Sequence, residues 1–248
     1  LGFERAVFDP QAHTEIFLLT EVERQRYQQI YHTPTQRLHL LPPGIDPNRC
    51  PTTAAPQQRV QLRATAQVGV ATPVLLFLGS DFHRKGLDRV VRSLAAVAPL
   101  QPQLWVVGAD NPRPYQRLAQ RCNVVGQLQF WGPRNDVPAL LQAADYLVHP
   151  ARVENAGLVL VEALAAGLPV LTTAACGYAS YVTQAQAGAV LAEPFSQDAW
   201  NNLLYQALLG EQRVVWAANA RRYGAEADIY QLPQRLVQYL ETRCPTRT

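Results

Sequence analysis

Short apolar runs alternate with segments of helical periodicity along the middle of the chain. From Val74 onward, the apolar runs predict strands near 74–79, 104–108, 127–131, 145–149, 169–172 and 188–192. The segments between them predict helices near 86–97, 112–122, 135–144, 156–166 and 177–184. Alternating strands and helices are typical of a parallel sheet that is covered on both faces. The pattern therefore predicts an α/β fold, in which ligands bind beyond the carboxyl ends of the strands.

The first part of the chain has a different pattern. Residues 16–19 and 38–41 are short apolar runs, and the helix expected between them begins with Thr20 and Glu23, the spacing of a capping box. Two short strands and one helix cannot bury a core by themselves. Pro42 to Pro47 predict a rigid, non-helical connector.

Two further segments complete the prediction of elements. A loop at 50–56 and a peripheral helix at 57–67 are expected before the first strand of the sheet. After Phe195 the pattern predicts only helices, near 196–209, 211–223 and 227–242. Pro233 is expected to kink or break the last of them.

The composition fits a globular fold with a substantial core. The 248 residues are 48% hydrophobic, and no apolar run approaches the roughly 20 residues of a membrane-spanning helix. The chain contains no Met and opens on Leu1-Gly-Phe without a signal-peptide pattern. We therefore expect a piece of a longer protein, or a processed or trimmed one.

The cysteine spacing and the net charge argue against a disulfide-rich, a metal-ribbon or a nucleic-acid-binding protein. Four widely separated cysteines, Cys50, Cys122, Cys176 and Cys244, form no C-x-x-C pair, which argues against a disulfide framework or metal ribbon and predicts a cytoplasmic location. The net charge of +3 permits contact with an anionic membrane surface but does not indicate nucleic acid. Lys85 is the only lysine in the chain.

Two carboxylates bracket the loop that follows the strand expected at 145–149. Glu154 precedes a helix and Glu162 lies on it, and Ala156 and Gly157 between them leave the backbone amides of the helix start open to a ligand. Amides suit a diphosphate, and carboxylates accept hydrogen bonds from sugar hydroxyls, so the arrangement favours a nucleotide-sugar. The same residues also fit a surface Glu, a solvated helical Glu and small residues kept for packing, and spacing alone does not separate the two interpretations.

At these residues the sequence resembles family 4 of the GT-B glycosyltransferases, in particular the glucosyltransferases of lipopolysaccharide core. Glu154 and Glu162 match the family's Glu-x7-Glu donor signature. The other matching segments are Phe77-Leu-Gly-Ser-Asp-Phe-His-Arg-Lys-Gly86, Trp131-Gly-Pro-Arg-Asn-Asp-Val137, Leu171-Thr-Thr-Ala-Ala-Cys-Gly-Tyr178 and Ala192-Glu-Pro-Phe-Ser-Gln197. They occur in order between about residue 6 and about residue 240, which makes the resemblance specific.

The resemblance implies a GT-B fold whose N-terminal domain is largely missing. It implies that residues 1–43 are a remnant of the acceptor-side domain, that 44–225 form the Rossmann-like donor domain, and that 226–248 form a C-terminal crossover helix and tail. The implied activity is retaining transfer of glucose from UDP-glucose to an inner-core heptose of lipopolysaccharide. We expect the chain alone, as the donor-binding part of that enzyme, to be inactive.

The loop from Gly79 to Gly86 is the expected phosphate site. A guanidinium at Arg84 and an ammonium at Lys85 suit a diphosphate, although a solvated basic turn has the same composition. In the resembled family the matching Arg and Lys bind the donor phosphates and stabilise the leaving group. The resemblance therefore implies that Arg84, Lys85 and Glu154 are catalytic, and that Gly79 belongs to the donor site.

The remaining donor contacts are assigned by the same resemblance. Glu162 is expected to bind the ribose, Glu154 the hexose, and Arg134 the base, although Arg134 also fits a plain surface position. Backbone amides are expected from Asn155, Ala156, Gly157 and Leu158. Either Asn135 or Asp136 is expected to cap the following helix. His83 is interpreted as a minor anion contact, and Tyr178 and Tyr181 as residues that pack or line the edge of the cleft. His149 is expected to be a hydrogen-bonded structural imidazole, with contact to the substrate as the alternative.

No Asp-x-Asp and no set of His, Cys and carboxylates with metal-ligand spacing occurs in the sequence. We therefore expect no metal and no cofactor. The resemblance implies a UDP-sugar, the lipopolysaccharide acceptor and the missing domain as partners. We expect the protein to be cytoplasmic and to contact the cytoplasmic face of the inner membrane only peripherally. Two alternatives remain: a non-catalytic nucleotide-sugar-binding fragment, and a related GT-B hexosyltransferase with another donor or acceptor.

Overall fold

The computed structural model describes residues 2–47 and 56–243. Contacts within the chain divide it into two units, Leu1–Ile45 with Asp228–Thr248, and Asp46–Ala227. The loop expected at 50–56 lies almost entirely outside the described residues. In the part of the chain that the structure describes, no helix is long and apolar enough to cross a membrane.

The larger unit is a parallel six-stranded sheet with helices on both faces. Its elements are α3 (Pro56–Thr65), β3 (Val74–Leu78), α4 (Leu87–Ala96), β4 (Gln103–Val107), α5 (Arg113–Arg121), β5 (Leu128–Gly132), α6 (Val137–Ala143), β6 (Tyr146–His149), α7 (Leu158–Ala165), β7 (Val170–Thr173), α8 (Ala179–Ala185), β8 (Gly188–Leu191), α9 (Gln197–Leu209) and α10 (Gln212–Glu226). The α/β fold is confirmed, and the six strands lie within a residue or two of their predicted positions.

The sheet reverses its strand order at its centre. The order is β5-β4-β3-β6-β7-β8, and every neighbouring pair is parallel. The chain moves outward from β3 in one direction as far as β5, and then returns to pair β6 on the other side of β3. Connections that leave adjacent strands in opposite directions open a crevice beyond the strand ends. Here that crevice lies between the loops after Leu78 and His149.

The strands separate two apolar layers because consecutive side chains point to opposite faces. Leu76 and Trp105 belong to one buried cluster, and Leu75 and Phe77 belong to the other. All five residues of β3 are buried, so neither face of this strand contacts solvent. The central strands therefore hold the crevice loops on a rigid support.

A charged cluster anchors the opposite, amino-terminal edge of the sheet. Asp145 is buried and accepts hydrogen bonds from Arg63 at 2.5 Å, from Arg59 at 2.7 Å and from the Val74 amide at 2.8 Å. The Arg63 guanidinium also donates to the Ala143 carbonyl. The cluster therefore ties α3 to the starts of both central strands.

The smaller unit contains α1 (Gly2–Phe8), β1 (Ile16–Leu18), α2 (Glu21–Tyr31), β2 (Leu38–Leu40) and α11 (Leu232–Arg243). The predicted capping residue is observed, since Thr20 Oγ1 accepts from the Glu23 amide at 3.2 Å. Strands β1 and β2 pair in parallel. Helix α11 packs in this unit through Tyr239, whose hydroxyl lies 3.0 Å from His39 Nε2.

The last helix corrects one prediction. Pro233 neither kinks nor breaks it, because the helix begins at Leu232 and not near 227. In the first turn the missing proline N–H has no intrahelical partner to lose, so proline is accepted there. The short helix Gly2–Phe8 was not predicted at all.

The Asp145 cluster generates a stability prediction. Substitution Asp145→Ala leaves the buried Arg63 guanidinium without its carboxylate, and we expect a loss of about 3–5 kcal/mol in the free energy of unfolding. The exposed substitution Glu226→Ala is the control, with an expected change within about 0.5 kcal/mol. Urea unfolding of the two variants measures the difference, and equal midpoints would contradict the assignment.

Candidate functional site

A cavity of about 340 Å³ opens at the carboxyl ends of the central strands. This volume lies in the range of small-molecule sites. The cavity is lined by Leu78, Gly79, Ser80, Lys85, Val107, Gly108, Ala109, Pro133, Arg134, Val137, Glu154, Gly157, Leu158, Val159 and Glu162. Seven of the ten residues predicted for the site are on this wall. The fold thus brings together residues from four loops that are far apart in sequence.

An ion-pair cluster joins the two loops of the crevice. Lys85 Nζ donates to Glu154 Oε2 at 2.5 Å, and Arg84 reaches the same oxygen at 3.1 Å. Only 14% of the Lys85 side chain and 12% of the Glu154 side chain are exposed. Arg84 is more exposed and also pairs with Asp81 at 2.8 Å. Three of the predicted catalytic or phosphate-binding groups are therefore in mutual contact.

The surroundings of Glu154 decide its charge. Burial by itself would raise the pKa of this carboxyl, but the His149 imidazole 3.8 Å away, the hydrogen bond from Lys85 and the charges of Lys85 and Arg84 lower it to about 2. Lys85 is the principal partner, because His149 Nε2 lies 3.8 Å from Oε2, beyond direct hydrogen-bond distance. The site therefore holds an anionic carboxylate at neutral pH.

Gly79 lets Lys85 lie across the end of its strand. A Cβ at position 79 would stand 2.8 Å from Lys85 Cε, and the backbone there has a φ of +120°, which side chains disfavour. The glycine expected at the strand exit therefore has a second use, since it shapes the path of the lysine stem toward Glu154.

The two loops are fastened to each other by contacts that the sequence analysis missed. The Arg152 amide donates to the Arg84 carbonyl at 2.8 Å. The Arg152 guanidinium donates to the His83 carbonyl at 2.7 Å and to both oxygens of Asp88 at 2.8 Å. Arg152 and Asp88 are 64 residues apart, so no local spacing could have indicated the pair. These bonds fix the ammonium of Lys85 relative to Glu154.

The loop that carries Glu154 rests on the segment after β7. The Gly177 amide donates to the Glu154 carbonyl at 2.8 Å, and the Tyr178 amide donates to the Ala156 carbonyl at 2.7 Å. A Cβ on Gly157, whose φ is +91°, would overlap Cys176 Sγ. Tyr178 is buried against Tyr181, with ring centroids 5.1 Å apart, which agrees with the interpretation of both as packing residues.

The start of α7 differs from the prediction by two residues. The helix begins at Leu158, with Gly157 as its N-cap residue. Leu158 and Val159 line the cavity, and the first amides of a helix have no intrahelical partner. Val159 was not predicted, whereas Asn155 is exposed and does not belong to the cavity wall. Glu162 lies one turn further on and faces the same cavity.

Arg134 stands at the far side of the cavity. Its guanidinium binds both oxygens of Asp136, at 2.8 and 2.6 Å, and lies 5.3 Å from the centroid of the Trp131 ring. The prediction that Asn135 or Asp136 caps helix α6 is confirmed for the position of Asp136 and wrong for the capping hydrogen bond. Asp136 is at the N-cap position, but its carboxylate is taken by Arg134 and makes no capping bond.

The two histidines of these loops differ in burial. His83 is exposed, and its backbone carbonyl accepts the hydrogen bond from Arg152. His83 does not line the cavity. His149 is fully buried at the end of β6, but neither ring nitrogen has a hydrogen-bond partner among the described residues, so the expectation of a hydrogen-bonded imidazole is wrong. Among the described residues, no group of three or more His, Cys, Asp or Glu side chains is arranged to hold a metal ion.

Comparisons with known proteins agree with this geometry. A family model described as glycosyl transferases group 1 matches residues 61–223. The lipopolysaccharide glucosyltransferase WaaG of Escherichia coli is 44% identical over 94% of the chain, and a D-inositol 3-phosphate glycosyltransferase of Xylanimonas cellulosilytica is 30% identical over 82%. The chain spans 64% and 50% of the lengths of these relatives.

A solved structure extends the comparison to the fold. The crystal structure of WaaG, a glycosyltransferase involved in lipopolysaccharide biosynthesis, superimposes with a TM-score of 0.90 at 43% identity. The match covers 96% of this chain and 65% of that one. The expected resemblance to GT-B glycosyltransferases is thereby confirmed.

The close approach at Gly79 generates a prediction about Lys85. In Gly79→Ala the new methyl group displaces the lysine stem, so Lys85 should leave Glu154 and react several-fold faster with an amine acylating reagent. Gly132→Ala is the control, since Gly132 also has a positive φ, +64°, but has no atom within 4 Å of its Cβ position. Because Lys85 is the only lysine, peptide mass spectrometry reads the rate directly. Equal rates in both variants would contradict the packing argument.

The pKa of Glu154 generates a prediction about pH. A carboxyl whose pKa falls from 4.5 to about 2 on folding stabilises the native state above pH 4.5, and this contribution is lost as the pH falls toward 2. Glu154→Gln should therefore be less stable than the wild type at pH 7, and the difference should shrink below pH 4.5. Urea unfolding across this pH range measures it, with Glu226→Gln as the exposed control. A difference independent of pH would contradict the ion pair.

Proposed function

The chain belongs to the group 1 glycosyl transferases, and we propose that it is the donor-binding part of a retaining glucosyltransferase. The donor is UDP-glucose and the acceptor is an inner-core heptose of lipopolysaccharide. The observation that carries the proposal is a cavity lined by Lys85, Glu154 and Glu162, in which Arg84 pairs with Glu154 from outside the wall. Cations paired with one of two carboxylates at a cavity suit a ligand that combines phosphates with hydroxyl groups.

Each group has a role in this proposal. Glu162 accepts hydrogen bonds from the ribose, Glu154 accepts from the hexose, and Arg134 lies beside the base. The amides at the start of α7 and the two cations hold the diphosphate. Because Glu154 stays ionised at neutral pH, it serves as an acceptor for hydroxyl groups and not as a general acid.

Catalysis by these groups is electrostatic. As the glycosidic bond to the diphosphate breaks, negative charge develops on the leaving oxygens, and Lys85 and Arg84 stabilise it more strongly than they stabilise the bound donor. We propose that this substitutes for a divalent metal ion. No general base is assigned in the chain. A cytoplasmic location, with peripheral contact to the inner membrane, remains part of the same proposal.

The assignment of the acceptor is supported by similarity to relatives and not by the geometry of the cavity. The relative that is 44% identical is a lipopolysaccharide glucosyltransferase, whereas the more distant one is a D-inositol 3-phosphate glycosyltransferase. The chain spans only part of the length of both relatives, and in this proposal the acceptor site belongs to the part that the chain does not span. The alternatives are a fragment that binds the donor without transfer, and a hexosyltransferase with another donor or acceptor.

Calorimetry tests the donor site. UDP and UDP-glucose, titrated into the 248-residue chain without added metal, should bind saturably. Lys85→Ala and Glu162→Ala should each weaken binding about tenfold or more, because each substitution removes a charged hydrogen-bonding group. The exposed substitutions Arg117→Ala and Glu226→Ala are the controls and should leave the affinity unchanged. Failure of the folded wild type to bind either ligand would contradict the proposal.

Two further experiments, a titration series and a transfer assay, separate the alternatives. UDP-, GDP- and ADP-glucose should differ in affinity, with UDP-glucose the tightest. Preference for another nucleotide would favour the hexosyltransferase with a different donor. Addition of a heptose-containing acceptor to the chain and donor should give no glucose transfer. Transfer would instead refute the view that this chain holds only the donor half.

A further inference from the structure

A buried histidine lies behind the ion-pair cluster. His149 ends strand β6, its side chain is fully buried, and its ring stacks near Phe77 with centroids 6.5 Å apart. Neither Nδ1 nor Nε2 has a hydrogen-bond partner among the described residues. A buried polar group without a partner destabilises a fold. A phenyl ring would be more stable than an imidazole at this buried position, unless the imidazole forms a hydrogen bond in another state of the protein.

The nearest anionic group to this ring is the carboxylate of the site. His149 Nε2 lies 3.8 Å from Glu154 Oε2, the oxygen that Lys85 and Arg84 now hold. A small rotation of the Glu154 side chain would bring the two atoms within hydrogen-bond distance. The imidazole is neutral in this position, because burial lowers the pKa of His149. A neutral ring can donate one N–H.

The ligand of the proposed function competes for the present partners of Glu154. A diphosphate would draw Lys85 and Arg84 toward its own oxygens, and the carboxylate would then lose its counter-charges in a largely buried place. Two side-chain donors of the neighbouring segments are already occupied. Thr172 Oγ1 donates to the His149 carbonyl at 2.9 Å, and Cys176 Sγ donates to the Ala156 carbonyl.

We propose that His149 is a positioning residue, which holds Glu154 through Nε2–H when the diphosphate of the donor takes Lys85 and Arg84. In the ligand-free chain the two cations hold the carboxylate, and in the complex the imidazole holds it in place for the hexose hydroxyls. This inference rests on the proposed function, because it needs a diphosphate in the cavity. It gives the unpaired imidazole a partner in the bound state only.

A double-mutant cycle tests the inference. His149→Phe keeps a flat ring beside Phe77 but removes the donor, and His149→Gln keeps an N–H. In the wild-type chain, His149→Phe should weaken UDP-glucose binding about tenfold, and His149→Gln should stay within about threefold. In the Glu154→Ala background, which removes the acceptor, His149→Phe should change the affinity less than about twofold. Urea unfolding confirms that each variant is folded.

A spectroscopic measurement accompanies the cycle. In the 15N-histidine-labelled chain, the Nε2 proton of His149, identified by its loss in His149→Gln, should move downfield when UDP-glucose saturates the site. Equal losses for His149→Phe in both backgrounds, or an unmoved proton, would overturn this inference and leave the donor site intact. No binding of UDP-glucose by the folded wild type would overturn the proposed function and this inference with it.

Discussion

A carboxylate that is almost withdrawn from water must have cationic partners, and this requirement joins the two loops at the centre of the sheet. Glu154 meets it with Lys85 and Arg84, which come from a loop 69 residues earlier in the chain. The strand order makes the meeting possible, because β3 and β6 are neighbours whose connections leave in opposite directions. The cavity, its charge and its proposed ligand all follow from that contact.

The same ion pair contributes little to stability by comparison with the apolar layers around it. Pairing two charges away from water recovers their desolvation cost only when geometry and additional hydrogen bonds are favourable. Its importance is therefore that it keeps both charges in place. The contacts of Arg152 with Asp88 and with the His83 carbonyl hold the lysine loop, and the segment after β7 holds the glutamate loop. A phosphate that enters the cavity would find its cations already oriented, at the cost of displacing one carboxylate.

Local patterns in the sequence predicted the elements and the loops that form the site. Apolar runs and helical spacing located all six strands of the sheet, and glycines and charged residues marked the loops at Gly79 and Glu154. Pairings across the fold were not predictable in this way. Asp145 with Arg63, and Arg152 with Asp88, depend on which strands become neighbours. Local spacing assigns the Asp136 carboxylate to a helix cap, but Arg134 binds both of its oxygens. The pattern predicts a break at Pro233 because it does not show that the helix begins one residue earlier, where proline is tolerated.

The most direct measurement of the central claim uses the single lysine. In a chain labelled with 15N-lysine, Lys85 gives one Nζ resonance, because no other lysine is present. Titration with UDP-glucose without added metal should shift this resonance saturably, with the dissociation constant that calorimetry gives, as the ammonium exchanges Glu154 for phosphate oxygens. Binding of UDP-glucose with an unmoved Nζ resonance would place the diphosphate elsewhere and contradict the account.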